Sequence, residues 1–197
     1  MDRGLAAPPH HTFSGRDQSV LVEVRVQSLG LDRSTNTPVV ILQEVDGSRV
    51  LPIWIGPGEA SAIAMHMAEM EFTRPLTHDL LVSVLKGLGG SVQKVIITRV
   101  ENSTYFAELI VKRNGEVLAL DARPSDSIAL ALRVDAKIFA ADALLERTAV
   151  EISDEESAPD EAGGGGSSRE APQEMGPEEL KEHLRRLNPE DFGRFTP

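Results

Sequence analysis

Leu118-Ala119-Leu120-Asp121-Ala122-Arg123-Pro124-Ser125-Asp126-Ser127-Ile128-Ala129-Leu130-Ala131-Leu132 repeats a pattern already set 67 positions earlier by Leu51-Pro52-Ile53-Trp54-Ile55-Gly56-Pro57-Gly58-Glu59-Ala60-Ser61-Ala62-Ile63-Ala64-Met65. Pro57 falls on Pro124, Glu59 on Asp126, and Ala62-Ile63-Ala64-Met65 on Ala129-Leu130-Ala131-Leu132. Each stretch reads as a strand, a sharp turn and a helix that starts at proline. Proline suits that position because its missing N–H would have no intrahelical partner, and the acid two residues later complements the unpaired amides.

Outward from these stretches the same order of elements recurs. Val20, Val22, Val24 and Val26 alternate with Leu21, Glu23, Arg25 and Gln27, the period of a half-buried strand. A polar turn over Asp32–Pro38 leads to strands at Val39–Glu44 and Val50–Ile55, joined through the hairpin signal Asp46-Gly47. In the second half, Val92–Val100, a polar turn at Glu101–Thr104, Tyr105–Arg113, the turn pair Asn114-Gly115 and Val117–Asp121 precede the helix from Pro124. Between the halves, Thr77 to Leu88 reads as an extra helix with Thr77 as N-cap, Asp79 in the first turn and Gly89 as the stop. Its Leu81, Val84, Leu85 and Leu88 form an apolar stripe. Ile138–Ala140 adds a short strand and Ala143–Arg147 a last helical turn. The expected fold class is α+β, a duplicated strand-strand-strand-helix unit with an additional helix between the copies.

Composition divides the chain further. Residues 1–17 are expected to be a disordered N-terminal arm and 18–152 the folded domain. Residues 153–176 form an acidic Gly/Ser-rich linker, and 177–197 a short helix and tail in which Leu180, Leu184 and Leu187 share one face. A helix this short is marginal alone, so it is expected to dock on its own domain or a sister subunit, with a separate protein partner as the alternative. The formal charge is −11, and the stretch from Ser153 onward holds 12 acids against five bases. Such a surface repels phosphates at long range, which argues against a nucleic-acid binder with a broad basic footprint but not against an enzyme with a local site. The absence of cysteine excludes disulfides and thiolate metal sites. No basic leader precedes an apolar run, and no stretch reaches the roughly 18 apolar residues of a spanning helix, so a soluble cytoplasmic protein without membrane contact is expected. The helices from Pro57 and Pro124 are apolar nearly all round and rich in alanine, which reads as burial on more than one side and hints at a homo-oligomer.

Two polar clusters hold the residues fit for chemistry. Glu59 and Asp126 fall at the third helical position, where capping accounts for both. Asp121 has Trp54 as its counterpart, so the repeat does not demand an acid there. With Arg123 and Asp126 it makes a compact cluster, either an Asp–Arg pair fixing the turn or a metal or phosphate site. The other cluster is Arg74-Pro75-Leu76-Thr77-His78-Asp79. Here His78 suits a general base or metal ligand, Asp79 an orienting acid and Arg74 a phosphate clamp, beside the ordinary capping roles of Thr77 and Asp79. No nucleophile–base pair, phosphate-cradling glycine loop or His-x-x-x-His motif occurs.

Gly56-Pro57-Gly58-Glu59-Ala60 with Ala62-Ile63-Ala64, Arg74-Pro75-Leu76-Thr77-His78-Asp79-Leu80, and Asp121-Ala122-Arg123-Pro124-Ser125-Asp126-Ser127-Ile128-Ala129-Leu130 resemble the bifunctional nuclease domain family, over about Val20 to Ile152. Glu71-Phe72-Thr73 departs from the family's glycine- and proline-containing approach to Arg74. The family is found in bacteria, and plant members are associated with DNase and RNase activity. The resemblance implies hydrolysis of phosphodiester bonds in DNA and RNA. Action on both sugars implies water rather than the 2′-hydroxyl as nucleophile, and hence a divalent metal, with Mg²⁺ as the expected ion. On these motifs Asp121, Asp126, Asp79 and, less directly, Glu59 are the candidate metal ligands. His78, Asp79, Asp121 and Asp126 are the candidate catalytic residues, and Arg74 and Arg123 the candidate substrate clamps. The alternative is a non-enzymatic oligomeric regulatory or scaffold module with a partner-docking C-terminal helix, in which the polar clusters only fix turns. A shared active site requires the two clusters to meet in space.

Overall fold

The computed structural model describes residues 20–32, 35–147 and 173–174, the last two as backbone only. β1 (Leu21–Asp32), β2 (Thr37–Glu44) and β3 (Val50–Trp54) form an antiparallel meander that ends in α1 (Pro57–Met67). After α2 (Thr77–Gly87) comes a second meander, β4 (Gly90–Glu101), β5 (Thr104–Arg113) and β6 (Glu116–Ala122), leading into α3 (Pro124–Val134). β7 (Lys137–Ala141) and helical turns at 142–147 follow. β8 (Gln173–Glu174), within the stretch expected as linker, pairs with Gly30 and Leu31 of β1. The strand order β3-β2-β1-β7-β4-β5-β6 puts β7 between the meanders, antiparallel to β1 and parallel to β4.

Alternation along the strands decides which side is packed. Val40 and Leu42, Leu51 and Ile53, Val95 and Ile97, and Leu109 and Val111 are buried together with α1 and α3. Those helices pack on the sheet and on each other, and Ile63, Ala64, Ile128, Ala129, Leu130 and Ala131 are all but inaccessible. Their alanines thus let α1 and α3 approach closely within one subunit. Two hairpins close through two-residue turns with positive φ throughout, Asn102-Ser103 (48° and 61°) and Asn114-Gly115 (52° and 86°), the geometry that matches strand twist.

The structure departs from the sequence reading in three places. β1 runs on to Asp32, because after a bulge between Val26 and Ser28 it stays paired with β2. Thr77 is the first helical residue rather than the cap; Leu76 takes that position without a side-chain acceptor, and the Asp79 carboxylate accepts from its amide at 2.9 Å. Of the expected stripe of α2 only Leu85 packs against the core, beside the buried Val82, while Leu81, Val84 and Leu88 are exposed. The expected N-terminal arm, most of the linker and the C-terminal helix lie outside the described residues. Among the described residues no helix is long and apolar enough to cross a membrane.

Candidate functional site

The first turns of α1, α2 and α3 each bring an acid, and arginines join them. Asp126, at the third position of α3, receives Nε and Nη2 of Arg123 at 2.7 and 3.1 Å, a bidentate pair closed within one turn. Nη1 of the same guanidinium reaches Glu59 of α1 at 2.8 Å. The other side of Asp126 meets His78 of α2, with Nε2 at 3.3 Å from Oδ1. The two sequence clusters, 48 residues apart at this contact, therefore meet. His78 and Asp126 are sheltered, with side chains 15% and 32% exposed, while Arg123 is 65% exposed.

Asp79 belongs to a neighbouring latch. Its carboxylate takes the Leu76 amide and, at 2.5 Å, the Nε of Arg133, which is only 6% exposed. Arg133 also donates to the Ala129 carbonyl at 2.9 Å and to the Ala62 carbonyl of α1 at 3.1 Å, so one buried guanidinium ties all three helices. The sequence reading missed Arg133, since a lone arginine in a last turn looks like a simple complement to the helix dipole.

Burial pushes the Asp79 carboxyl up, but the Leu76 amide and Arg133 outweigh it and hold its pKa below the ordinary carboxylate value. Asp126 behaves alike: burial raises it, and Arg123 followed by His78 brings it below the ordinary value. The Arg123 guanidinium is raised, chiefly by its hydrogen bond to Asp126 against the cost of burial. Both carboxylates are thus ionised at neutral pH and turned toward cations.

Asp121 does not join the cluster. It pairs with Glu108 across β5 and β6, whereas the next residue, Ala122, packs against the core. A period of two sends Asp121 to the opposite face of the sheet, where it is exposed. Arg74 is exposed in the segment before α2. The expected ligand set of Asp121, Asp126, Asp79 and Glu59 is therefore not assembled. Among the described residues no three His, Asp or Glu side chains converge as a metal-binding group. The remaining carboxylates are held by guanidiniums, a donor set that does not fit a divalent ion.

A family model described as bifunctional nuclease domain matches residues 40–153. The chain is 41% identical over 170 residues to an uncharacterized protein of Mycobacterium tuberculosis, a match covering 86% of this chain and 97% of that one. It is 28% identical over 100 residues to bifunctional nuclease 1 of Arabidopsis thaliana, covering 49% of this chain and 31% of the plant protein. With bifunctional nuclease 2 of Oryza sativa subsp. japonica it shares 27% over 111 residues, covering 54% and 34%. The extent of these matches, together with the motifs that meet at His78 and Asp126, leads to one conclusion: this chain belongs to the bifunctional nuclease domain family.

Proposed function

We propose that this chain is a nuclease that hydrolyses phosphodiester bonds of DNA and RNA, with His78 as its base. The observation that carries the reading is the 3.3 Å contact between His78 and Asp126. An imidazole that donates from Nε2 to a carboxylate keeps its lone pair on Nδ1, and the carboxylate fixes that orientation and stabilises the imidazolium once formed. In this role Nδ1 takes a proton from water, the water oxygen bonds to phosphorus, the P–O bond to the leaving sugar breaks, and that oxygen takes a proton from solvent. Arg123, the exposed cation beside Asp126, meets the non-bridging phosphate oxygens, and Arg74, exposed ahead of α2, is the second arginine assigned to the nucleic-acid backbone.

No step runs through the expected divalent ion, because Glu59, Asp79 and Asp126 are engaged with arginine and Asp121 lies on the other face of the sheet. The test is cleavage of a labelled single strand by protein freed of host nucleases. His78→Ala is expected to lose about 10²–10⁴-fold in rate, the usual contribution of a general base. Wild-type rates from both His78→Ala and Asp126→Asn would end this reading. Cleavage abolished by EDTA would move the chemistry to a metal held by other groups.

A regulatory or scaffold module remains the second reading. It is favoured by the fact that Glu59, Asp79 and Asp126 all have arginine partners that suffice as helix-to-helix ties. Absence of any cleavage beyond that of the His78→Ala protein would favour it. We also infer that the two meander-and-helix halves descend from one duplicated unit, supported by Pro57 and Pro124 at the first helical positions and Glu59 and Asp126 at the third. A cytoplasmic location belongs to the same reading, and cell fractionation tests it.

A further inference from the structure

We propose that residues 175–187 of this chain lie across the face of the sheet turned away from the helices, over β1, β2 and β3. Alternation sends Ser28, Gly30 and Asp32 of β1, Val39 and Ile41 of β2, and Pro52 and Trp54 of β3 to that face. α1 and α3 pack on the other face, in the core that Val40, Leu42, Leu51 and Ile53 line. Val39 and Ile41 lie outside that core, yet within the single chain they are only 0 and 8% exposed. Their neighbours on β1 do not account for this. Val39 is flanked there by Gly30 and Ile41 by Ser28, so β1 offers no bulk to shelter either. Gly30 is itself buried, and the Ser28 hydroxyl is shut off from water. Glycine inside a strand often marks a close approach of other backbone, and here Ser28 and Gly30 form a trough whose floor water does not reach.

The occupant is selected by where the chain re-enters the sheet. β8 sets Gln173 and Glu174 beside Leu31 and Gly30, on the side of β1 away from β2. Pro177, where the sequence places the start of a helix, follows three residues later, so that helix begins within about 10 Å of the trough. Leu180, Leu184 and Leu187 share one face and span seven residues, about 10 Å along a helix axis. Two strand spacings, from β1 across β2 to β3, also measure about 10 Å. A helix that leaves β8 and crosses the three strands thus lays one leucine over each, with Trp54 beneath the last. The other stretches outside the described residues fit worse. Residues 153–172 carry alanines and prolines but no larger apolar side chain. Phe13, Val150 and Ile152 join the domain where Leu21 pairs with Ala141, nine residues or about 30 Å along β1 from Gly30. At most seven residues separate each of them from that end, a reach of about 25 Å. A second copy is not needed, since Val39 is already inaccessible within one chain.

The cover is confined to the first meander. On the same face of the second, Val117 and Asp121 of β6 are exposed. His78 and Asp126 sit in the first turns of helices on the opposite side of the sheet, so the segment leaves that site open. The proposal does not rest on the nuclease reading, since its readout is the accessibility of one thiol.

The chain contains no cysteine, so Ser28→Cys places a single thiol on the floor of the trough. Its reaction with a chromogenic disulfide reagent is followed in the full chain. Slow reaction is expected, at a rate independent of protein concentration. Adding Leu180→Glu or Leu184→Glu should speed it about tenfold or more, since burial of one leucine outweighs a tenfold shift in the closed fraction. Adding Leu5→Glu or Phe13→Glu should leave it slow. Trp54, the only tryptophan, gives a second reading without the cysteine: both tail variants should red-shift its emission while thermal unfolding stays cooperative. A thiol that reacts fast beside the unaltered tail, or that stays slow in both tail variants, overturns the proposal. Protection lost on dilution or in Leu5→Glu does the same, as does an unshifted Trp54 emission in both tail variants.

Discussion

Asp79 and Arg133 show how one residue pair can be both cap and tie. Asp79→Asn keeps an oxygen for the Leu76 amide, so the helix start survives while the buried Arg133 charge loses its carboxylate. Removing one partner of a buried pair costs about 3–5 kcal/mol. Asp79 is itself 38% exposed and Arg133 keeps two carbonyl acceptors, so the expected loss is nearer ~2 kcal/mol, read by urea denaturation. The pH dependence has a definite sign. Asp79 and Asp126 titrate below the ordinary carboxylate value of about 3.9. Between the folded and unfolded values the unfolded chain binds more protons, so stability rises with pH there. Their contribution is complete above the ordinary carboxylate range and is lost as pH falls through the depressed folded values. The urea midpoint should therefore fall below about pH 4, and less steeply in Asp79→Asn/Asp126→Asn. An identical acid limb in that variant would show that these ion pairs do not set acid stability.

At the scale of elements, the backbone of the hairpins makes a prediction independent of packing. Gly115 has φ +86° with open space around its Cα, so Gly115→Ala meets no neighbour and only left-handed strain remains. The expected cost is about 1 kcal/mol, and a neutral substitution would mean that the turn relaxes to another type. The Asn-Gly pair was legible because few residues tolerate that turn, and the strands were legible because one buried face imposes a period of two. Helix starts were marked by Pro57 and Pro124. The facing of α2 was not legible, since Leu81, Val84 and Leu88 compete with Val82 and Leu85 for the inward side, and packing chose the latter. Asp121 lies away from the cluster for a reason visible in the sequence: it directly precedes Ala122 on the strand, and consecutive strand residues point to opposite faces. Arg133 was hidden because its Ala62 acceptor lies 71 residues away and no local pattern announces it.

For the whole molecule, the charge balance bears on how any nucleic acid would be held. The net −11 opposes approach of a polyanion; the exposed cation of the candidate site is Arg123, and Arg74 is exposed four residues before His78 in the chain. Arg123 is already shared between Glu59 and Asp126, so it offers phosphate less than a full charge. Single-strand binding that neutralises Z phosphates falls with salt at a logarithmic slope of about −0.7Z. With Z no greater than about two, the slope should be no steeper than about −1.4, far shallower than for a protein with a broad basic groove. Fluorescence anisotropy of a labelled single strand with His78→Ala, titrated over a salt series, measures it without cleavage. A slope near −4 would require about six phosphate contacts and therefore a basic surface away from this cluster. Arg123→Gln would then leave the slope unchanged. With the shallow slope, the same substitution should flatten it further, because one of the two contacts is gone. Substrate would then be held by few charges in a sheltered site, and turnover would be limited by weak capture rather than by slow release.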